Sequence, residues 1–223
     1  MKVLISAAGS TLGRVLADGL TEQHQVVLAD SSTGLGHDSS TNDLVRGVDA
    51  VVHSVANDKE ANASHRLDTA MRRTYNLLWA AAEERVPRVV LLSSLSLFGK
   101  YDEGRAVTET WRPMPTTDTE VLSHHLAEFV CREFAREGRT RVVCLRLGDL
   151  VSDSNESGST SALYASDAVQ AVGRAIVFDL PIGRTTGVHQ PWTVFHVQSD
   201  VPNARFLTGN AQEALGFVPA KRS

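Results

Sequence analysis

The residues best placed to do chemistry stand near the N-terminus. Val3-Leu4-Ile5 is a short aliphatic run of strand type that passes at once into Ser6-Ala7-Ala8-Gly9-Ser10-Thr11-Leu12-Gly13-Arg14. Small side chains in such a turn let the backbone approach a pyrophosphate, and a helix opening there offers N–H donors and the positive end of its dipole. Asp30 lies 17 residues past Gly13, at the end of a second apolar run, Val26-Val27-Leu28-Ala29. A carboxylate at that place accepts hydrogen bonds from the adenosine ribose hydroxyls and repels a 2′-phosphate. No arginine falls between Arg14 and Arg46 to attract such a phosphate. The order strand, turn, helix, acid therefore points to a dinucleotide site that prefers NAD to NADP. The alternative is a helix cap at Ser10 and a turn acid at Asp30.

The elements that would hold these residues follow from hydrophobic spacing. Leu12, Val15, Leu16 and Leu20 share a helical face over residues 11–20. Strands are expected at 25–30, around Val51-Val52, at Val89-Val90-Leu91-Leu92, at 141–147 and at 192–197, with helices at 66–84, 119–137, 166–178 and near 203–215. Residues 31–42 and 152–161, rich in Ser, Thr and Gly, read as solvated loops; the second could serve as a lid. Apolar strands alternating with helices call for a parallel sheet covered on both faces, and the right-handed crossover rule leaves a doubly wound α/β sheet as the simplest topology. Residues 1–223 read as one domain of this Rossmann-like kind, with 149–165 and 181–192 as short substrate-side segments.

Composition narrows the partners. With 22 basic and 26 acidic side chains, for a net charge of -4, the chain lacks the basic block of a nucleic-acid surface. Cys131 and Cys144 are too few for a disulfide scaffold. No run approaches the length of a membrane span, and the first residues lack the pattern of a secretion signal, so a cytoplasmic protein is expected. His37, His65, His189 and His196 have no metal-ligand spacing, so no metal site is expected.

Further motifs carry a resemblance. Val48-Asp49-Ala50-Val51-Val52-His53-Ser54-Val55-Ala56, Thr74-Tyr75-Asn76-Leu77-Leu78, the run from Val89 through Ser93-Ser94 to Phe98-Gly99, Leu145-Arg146-Leu147-Gly148, Ser166-Asp167-Ala168-Val169 and Leu215-Gly216-Phe217-Val218-Pro219 occur in sequence order. Together they resemble the extended short-chain dehydrogenase/reductases, the NAD-dependent epimerase/dehydratase family, and most of all its compact uronate-dehydrogenase branch. The resemblance implies NAD(P) binding by Ala7, Gly9, Ser10, Thr11, Leu12, Gly13, Asp30, Ser54, Val55, Ala56 and Ser93, and a catalytic hydroxyl at Ser94. It also implies a homodimer through the helices at 66–84 and 119–137, where Leu77, Leu78 and Ala81 face Leu122, Leu126 and Phe129; these side chains could equally face the sheet.

The departures bear on function. The family's Gly-x-x-Gly-x-x-Gly loop here has Ala7, Ser10 and Gly13; an alanine at the first position is expected to avoid positive φ, and Gly9 to offset the loss by one residue. The family's Tyr and Lys, four residues apart, are replaced by Glu120 and His124. One helical turn apart, these two can pair and act as a non-standard proton donor with Ser94, or they are ordinary solvated helix residues. Ser93 and Ser94 have the alternative of satisfying strand-end hydrogen bonds. His53 is read as structural. Three readings follow: an oxidoreductase or epimerase on a sugar-like or small polar substrate, a catalytically silent dinucleotide binder with a regulatory or scaffold role, or a fold relic that binds no nucleotide and acts through protein contacts.

Overall fold

Aliphatic and β-branched side chains dominate the strands, the inner ones are buried on both faces, and the main sheet they build is wholly parallel. A computed structural model describes residues 1–30, 32–55, 62–154, 158–179 and 192–220. In chain order the elements are β1 (Lys2–Ser6), α1 (Thr11–Leu20), β2 (Gln25–Ala29), α2 (Ser39–Val45), β3 (Ala50–Ser54), α3 (Ala63–Glu83), β4 (Val89–Ser94), a 3-10 turn (Leu95–Phe98), α4 (Thr119–Arg136), β5 (Val142–Leu147), β6 (Asp149–Val151), β7 (Ala162–Tyr164), α5 (Ala165–Val177), β8 (Trp192–Val197) and α6 (Gly209–Leu215). Six strands pair in the order β2-β1-β3-β4-β5-β8, and β6 and β7 pair separately. One face is covered by α1, α5 and α6 through Leu16, Leu20, Val172, Ile176 and Leu215. The other is covered by α2, α3 and α4 through Val45, Leu77, Leu78, Cys131 and Phe134. This is the doubly wound α/β sheet expected of the strand pattern. Among the described residues no helix is long and apolar enough to cross a membrane.

Several expectations need correction. The stretch 31–42 is not all loop: α2 begins at Ser39, capped by the Asp38 carboxylate, which accepts from the Ser40 N–H. The helix expected over 203–215 is only Gly209–Leu215, because the chain before it runs beside residue 107. Val107 and Phe206 form a parallel bridge there, and Leu207 N–H donates to the Val107 carbonyl. The stretch 152–161, by contrast, is loop as expected in its described residues, 152–154 and 158–161, and Asp149 of β6 accepts from the hydroxyls of Ser159 and Ser161. Leu77, Leu78 and Ala81 are buried, so they cover the sheet and are not available to a partner. On α4 the expected face is partly open, with Phe129 exposed and Leu122 and Leu126 half-buried, and α3 exposes Tyr75 beside it. Of the segment 181–192, residues 181–191 lie outside the described residues, and Trp192 opens β8.

One interaction locks the layers together. Arg146 stands in the middle of a strand whose every residue is buried, and it lies against Glu128 of α4. The guanidinium donates from Nε to Oε1 at 2.9 Å and from Nη2 to Oε2 at 2.8 Å. Ser93 Oγ of β4 donates to the same Oε1 at 2.6 Å. The Arg146 guanidinium also sits 5.1 Å from the ring centroid of Phe98, in the 3-10 turn. A bidentate pair shielded from water repays its desolvation only while both partners are present. Glu128→Leu is expected to cost roughly 3–5 kcal/mol in urea unfolding, and the double change Glu128→Leu, Arg146→Met to recover most of it.

Candidate cofactor and substrate cavity

The crevice lies where the winding reverses. β1 pairs with β2 on one side and β3 on the other, so the chain leaves in opposite directions beyond their C-terminal ends and leaves room for a ligand. A cavity of about 470 Å3 opens there. Its walls are Gly9, Ser10, Thr11, Leu12 and Arg14 of the first turn, Ser54 and Val55 after β3, Ser93 and Ser94 of β4, and Glu120, Ser123 and His124 of α4. Leu147, Gly148, Leu150 and Leu163 close the far side.

The first turn keeps a glycine-like shape without the glycine. Ala7 has φ 53°, in the left-handed region that the sequence reading expected an alanine to avoid. The turn imposes it: Ala8 N–H donates to the Ala29 carbonyl and Ser10 N–H returns to the Ala7 carbonyl, both at 3.0 Å. Two bonds and a buried methyl group outweigh a conformational cost of about 1–2 kcal/mol. Gly9 does not take over the role, since its φ is not positive and a Cβ there would meet only Asp30 Cβ at 3.9 Å. Gly13 is sterically required, because a Cβ would sit 2.4 Å from the Ala7 carbonyl oxygen. Ser10 caps α1, accepting from Gly13 N–H at 2.9 Å. Thr11 and Leu12 open the helix beside it, and Arg14 turns back to donate to the Gly9 carbonyl.

Asp30 stands at the end of β2 and does not line the cavity itself. Its Oδ1 accepts from Ser32 N–H at 2.8 Å and from the Ser32 hydroxyl at 2.6 Å. Those bonds, the Ser32 hydroxyl first, hold its carboxyl below the usual range. Sequence reasoning missed Arg73, which reaches from α3 to donate to the carbonyls of Thr33 at 2.9 Å and Asp30 at 3.0 Å. Only its helical position, some forty residues on, placed it there.

Behind the cavity, His53 is buried between Ser6 Oγ at 2.7 Å and Thr74 Oγ1 at 2.9 Å. Burial, with Arg73 nearby, pushes its pKa down to about 4, so it is a neutral bridge between β1, β3 and α3. Ser54 N–H donates to Ser6 Oγ, and Ala56 lies outside the described residues. Ser93 borders the cavity, yet its hydroxyl is committed to Glu128. Ser94 caps the 3-10 turn, accepting from Ser96 N–H at 3.1 Å while its hydroxyl donates to Ser96 Oγ at 2.8 Å.

Glu120, Ser123 and His124 face the cavity because they share the stripe of α4 that ends at Glu128, at helical spacings of three and four residues. Glu120 is exposed at the rim. His124 Nδ1 is buried with no hydrogen-bond partner. Burial lowers the His124 pKa below 6.5, against a smaller opposing pull from Glu120 and Glu128. Ser123, buried and unnamed by the sequence reading, was findable as the residue one turn before Ala127 on the same stripe. None of the three tyrosines lines the cavity. Tyr75 is exposed on α3, Tyr101 donates its hydroxyl to the Arg112 carbonyl at 2.8 Å, and Tyr164 is buried before α5. Among the described residues no cluster of His, Cys, Asp or Glu could hold a metal ion.

Fold and cavity together define a dinucleotide-type α/β protein. The profile of the NAD dependent epimerase/dehydratase family matches residues 7–178, and the chain belongs to that family. It is 24% identical over 247 residues to the uncharacterized protein YtbQ of Bacillus subtilis (strain 168), covering 98% of this chain and 93% of that one. Among solved structures it is similar to a mutated uronate dehydrogenase, with a TM-score of 0.80 at 20% identity, over 99% of this chain and 82% of that one. It is also similar to a UDP-N-acetylglucosamine 4-epimerase from Bacillus cereus, with a TM-score of 0.77 at 18% identity, over 100% of this chain and 94% of that one.

The left-handed alanine is directly testable. Ala7→Gly removes the backbone cost and adds the entropy of glycine, so a net gain of roughly 0.5–1 kcal/mol is expected in chemical denaturation. Gly13→Ala, by contrast, is expected to destabilise, because α1 must move away from the turn.

Proposed function

We infer that the protein is an NAD(H)-dependent oxidoreductase acting on a hydroxyl or carbonyl group of a small, polar, sugar-like substrate, with His124 as the acid/base. One observation carries this: a single cavity joins the first-turn residues that suit a pyrophosphate to Ser94, Glu120 and His124. The residues fit the cofactor. The cradle around Gly9 is open, since a Cβ there meets nothing nearer than 3.9 Å, and Thr11 and Leu12 begin a helix whose N-terminus favours an anion. Asp30, ionised, suits ribose hydroxyls and disfavours a 2′-phosphate, which supports NAD over NADP. The bound cofactor supplies the hydride acceptor or donor.

The proton falls to this chain. A neutral His124 accepts the hydroxyl proton of an alcohol substrate, and the reverse reaction returns it. Glu120, one turn earlier, stabilises the imidazolium so formed. Ser94 hydrogen-bonds the substrate oxygen by giving up its bond to Ser96. A second reading, a dinucleotide binder without turnover, is favoured by that same bond and by the placement of all three tyrosines outside the cavity.

Calorimetry with NADH and NADPH separates these readings from a fold that has lost the nucleotide. NADH is expected to bind more tightly than NADPH, and Asp30→Ala to weaken NADH by about ten-fold or more, as loss of a charged hydrogen bond does. Binding of neither nucleotide would overturn both readings.

A screen of polyols and aldoses for NAD reduction then tests turnover. Because His124 is neutral above its lowered pKa, oxidation is expected to be flat near neutral pH and to fall as pH drops through a value below 6.5. His124→Gln should lower kcat by about 100-fold or more and abolish that acidic limb. Nucleotide binding without turnover across the screen would favour the silent binder.

A further inference from the structure

The two edges of the main sheet are treated differently. At the β8 edge, the backbone N–H of His196 donates to Glu109 Oε1 at 3.0 Å, and the bridge between Val107 and Phe206 lies alongside. At the β2 edge nothing comparable is found among the described residues. Gln25 N–H donates to the Met1 carbonyl, and the Ala29 carbonyl accepts from Ala8 N–H. The backbones of Gln25, Val27 and Ala29 therefore face β1, and by strand alternation the N–H and C=O groups of Val26 and Leu28 point out of the sheet. The strand, Gln25-Val26-Val27-Leu28-Ala29, carries no charge and no proline, the usual guards of an edge. Leu28 is 55% exposed.

We propose that β2 is an interface with a second copy of this chain, the two β2 strands pairing antiparallel about Val27 so that one sheet runs through both copies. Two-fold pairing at that register is self-complementary. Val26 exchanges both backbone hydrogen bonds with the partner's Leu28, and the reciprocal pair does the same. Leu28, exposed in the single copy, is covered by the partner's Val26 on the α1 side of the sheet. His24, which burial and the N-terminal amine keep neutral, comes opposite the partner's Asp30, so no like charges meet at the ends of the strand. No like charges face each other along the strand.

Val27 meets its own copy as a non-hydrogen-bonded pair, with Cα atoms about 4.5 Å apart, within the span of a disulfide. That makes the register testable in the full chain. Cys131 and Cys144 are buried, so a cysteine introduced at β2 is the accessible thiol. Under mild oxidation Val27→Cys is expected to give a reducible covalent dimer in most of the protein, and Gln25→Cys, which faces the partner's Ala29, is not. In sedimentation the unaltered protein is expected to dimerise at micromolar concentration, and Leu28→Lys to weaken the dimer at least ten-fold with its circular dichroism unchanged. A monomer at tens of micromolar would overturn the proposal. So would a dimer that survives Leu28→Lys while Val27→Cys fails to link, which would move the contact to another face, such as that bearing Tyr75 and Phe129.

Discussion

Rotation about the long axis of α4 decides what the cavity contains, and a buried ion pair sets that rotation. Glu128 is held by two bonds to Arg146 and one from Ser93, so the helix has one orientation in which this carboxylate is satisfied. Helical periodicity does the rest, since residues four and eight positions earlier must share its stripe. His124 and Glu120 consequently reach the cavity whatever their own preferences for solvent. Arg146 in turn touches the ring of Phe98, which carries the same constraint into the 3-10 turn that Ser94 caps. An apolar pair of equal volume would fill the space but would leave the turn of α4 less defined.

At the opposite wall the controlling element is backbone shape. The turn after β1 needs a left-handed residue so that its N–H groups can bind β2 and then open α1, and Ala7 supplies it at some cost. Gly13 is different in kind: no conformational tolerance would help there, because the space for a side chain is occupied by the turn itself. Loss of the first glycine is thus a matter of energy, whereas loss of the third would be a matter of volume. A degenerate motif can preserve its geometry when the substitutions fall on the first kind of position.

Much of the architecture was legible from hydrophobic spacing. The strand at 192–197 and the helix at 11–20 coincide with β8 and α1, and the two long helices were placed to within a few residues. α2 escaped notice because Ser39-Ser40-Thr41-Asn42 carries little helical preference, and its start depends on the Asp38 cap. The terminal helix was drawn too long because backbone bonding between 107 and 206 leaves no trace in periodicity. Ser94, Glu120 and His124, named from position, do line one cavity, yet their setting was not legible. The pairing of Glu128 with Arg146 spans 18 residues and two layers, and its only local sign was a charge inside the apolar run Val142–Leu147. Arg73 beside Asp30 was invisible for the same reason: contacts across layers have no sequence period.

A wholly parallel sheet also governs how the chain reaches its native state. Each of the five strand pairings in the main sheet joins segments separated by a crossover, so no hairpin is available to start assembly. Loop-closure entropy must be met before any of these pairings rewards it, which makes folding of such topologies slow and dependent on distant contacts. During that interval β2 is a bare apolar strand with nothing yet on either side. Crowding of nascent chains at high synthesis rates would then favour tangled association over productive collapse, and the demand on chaperones would fall on this strand.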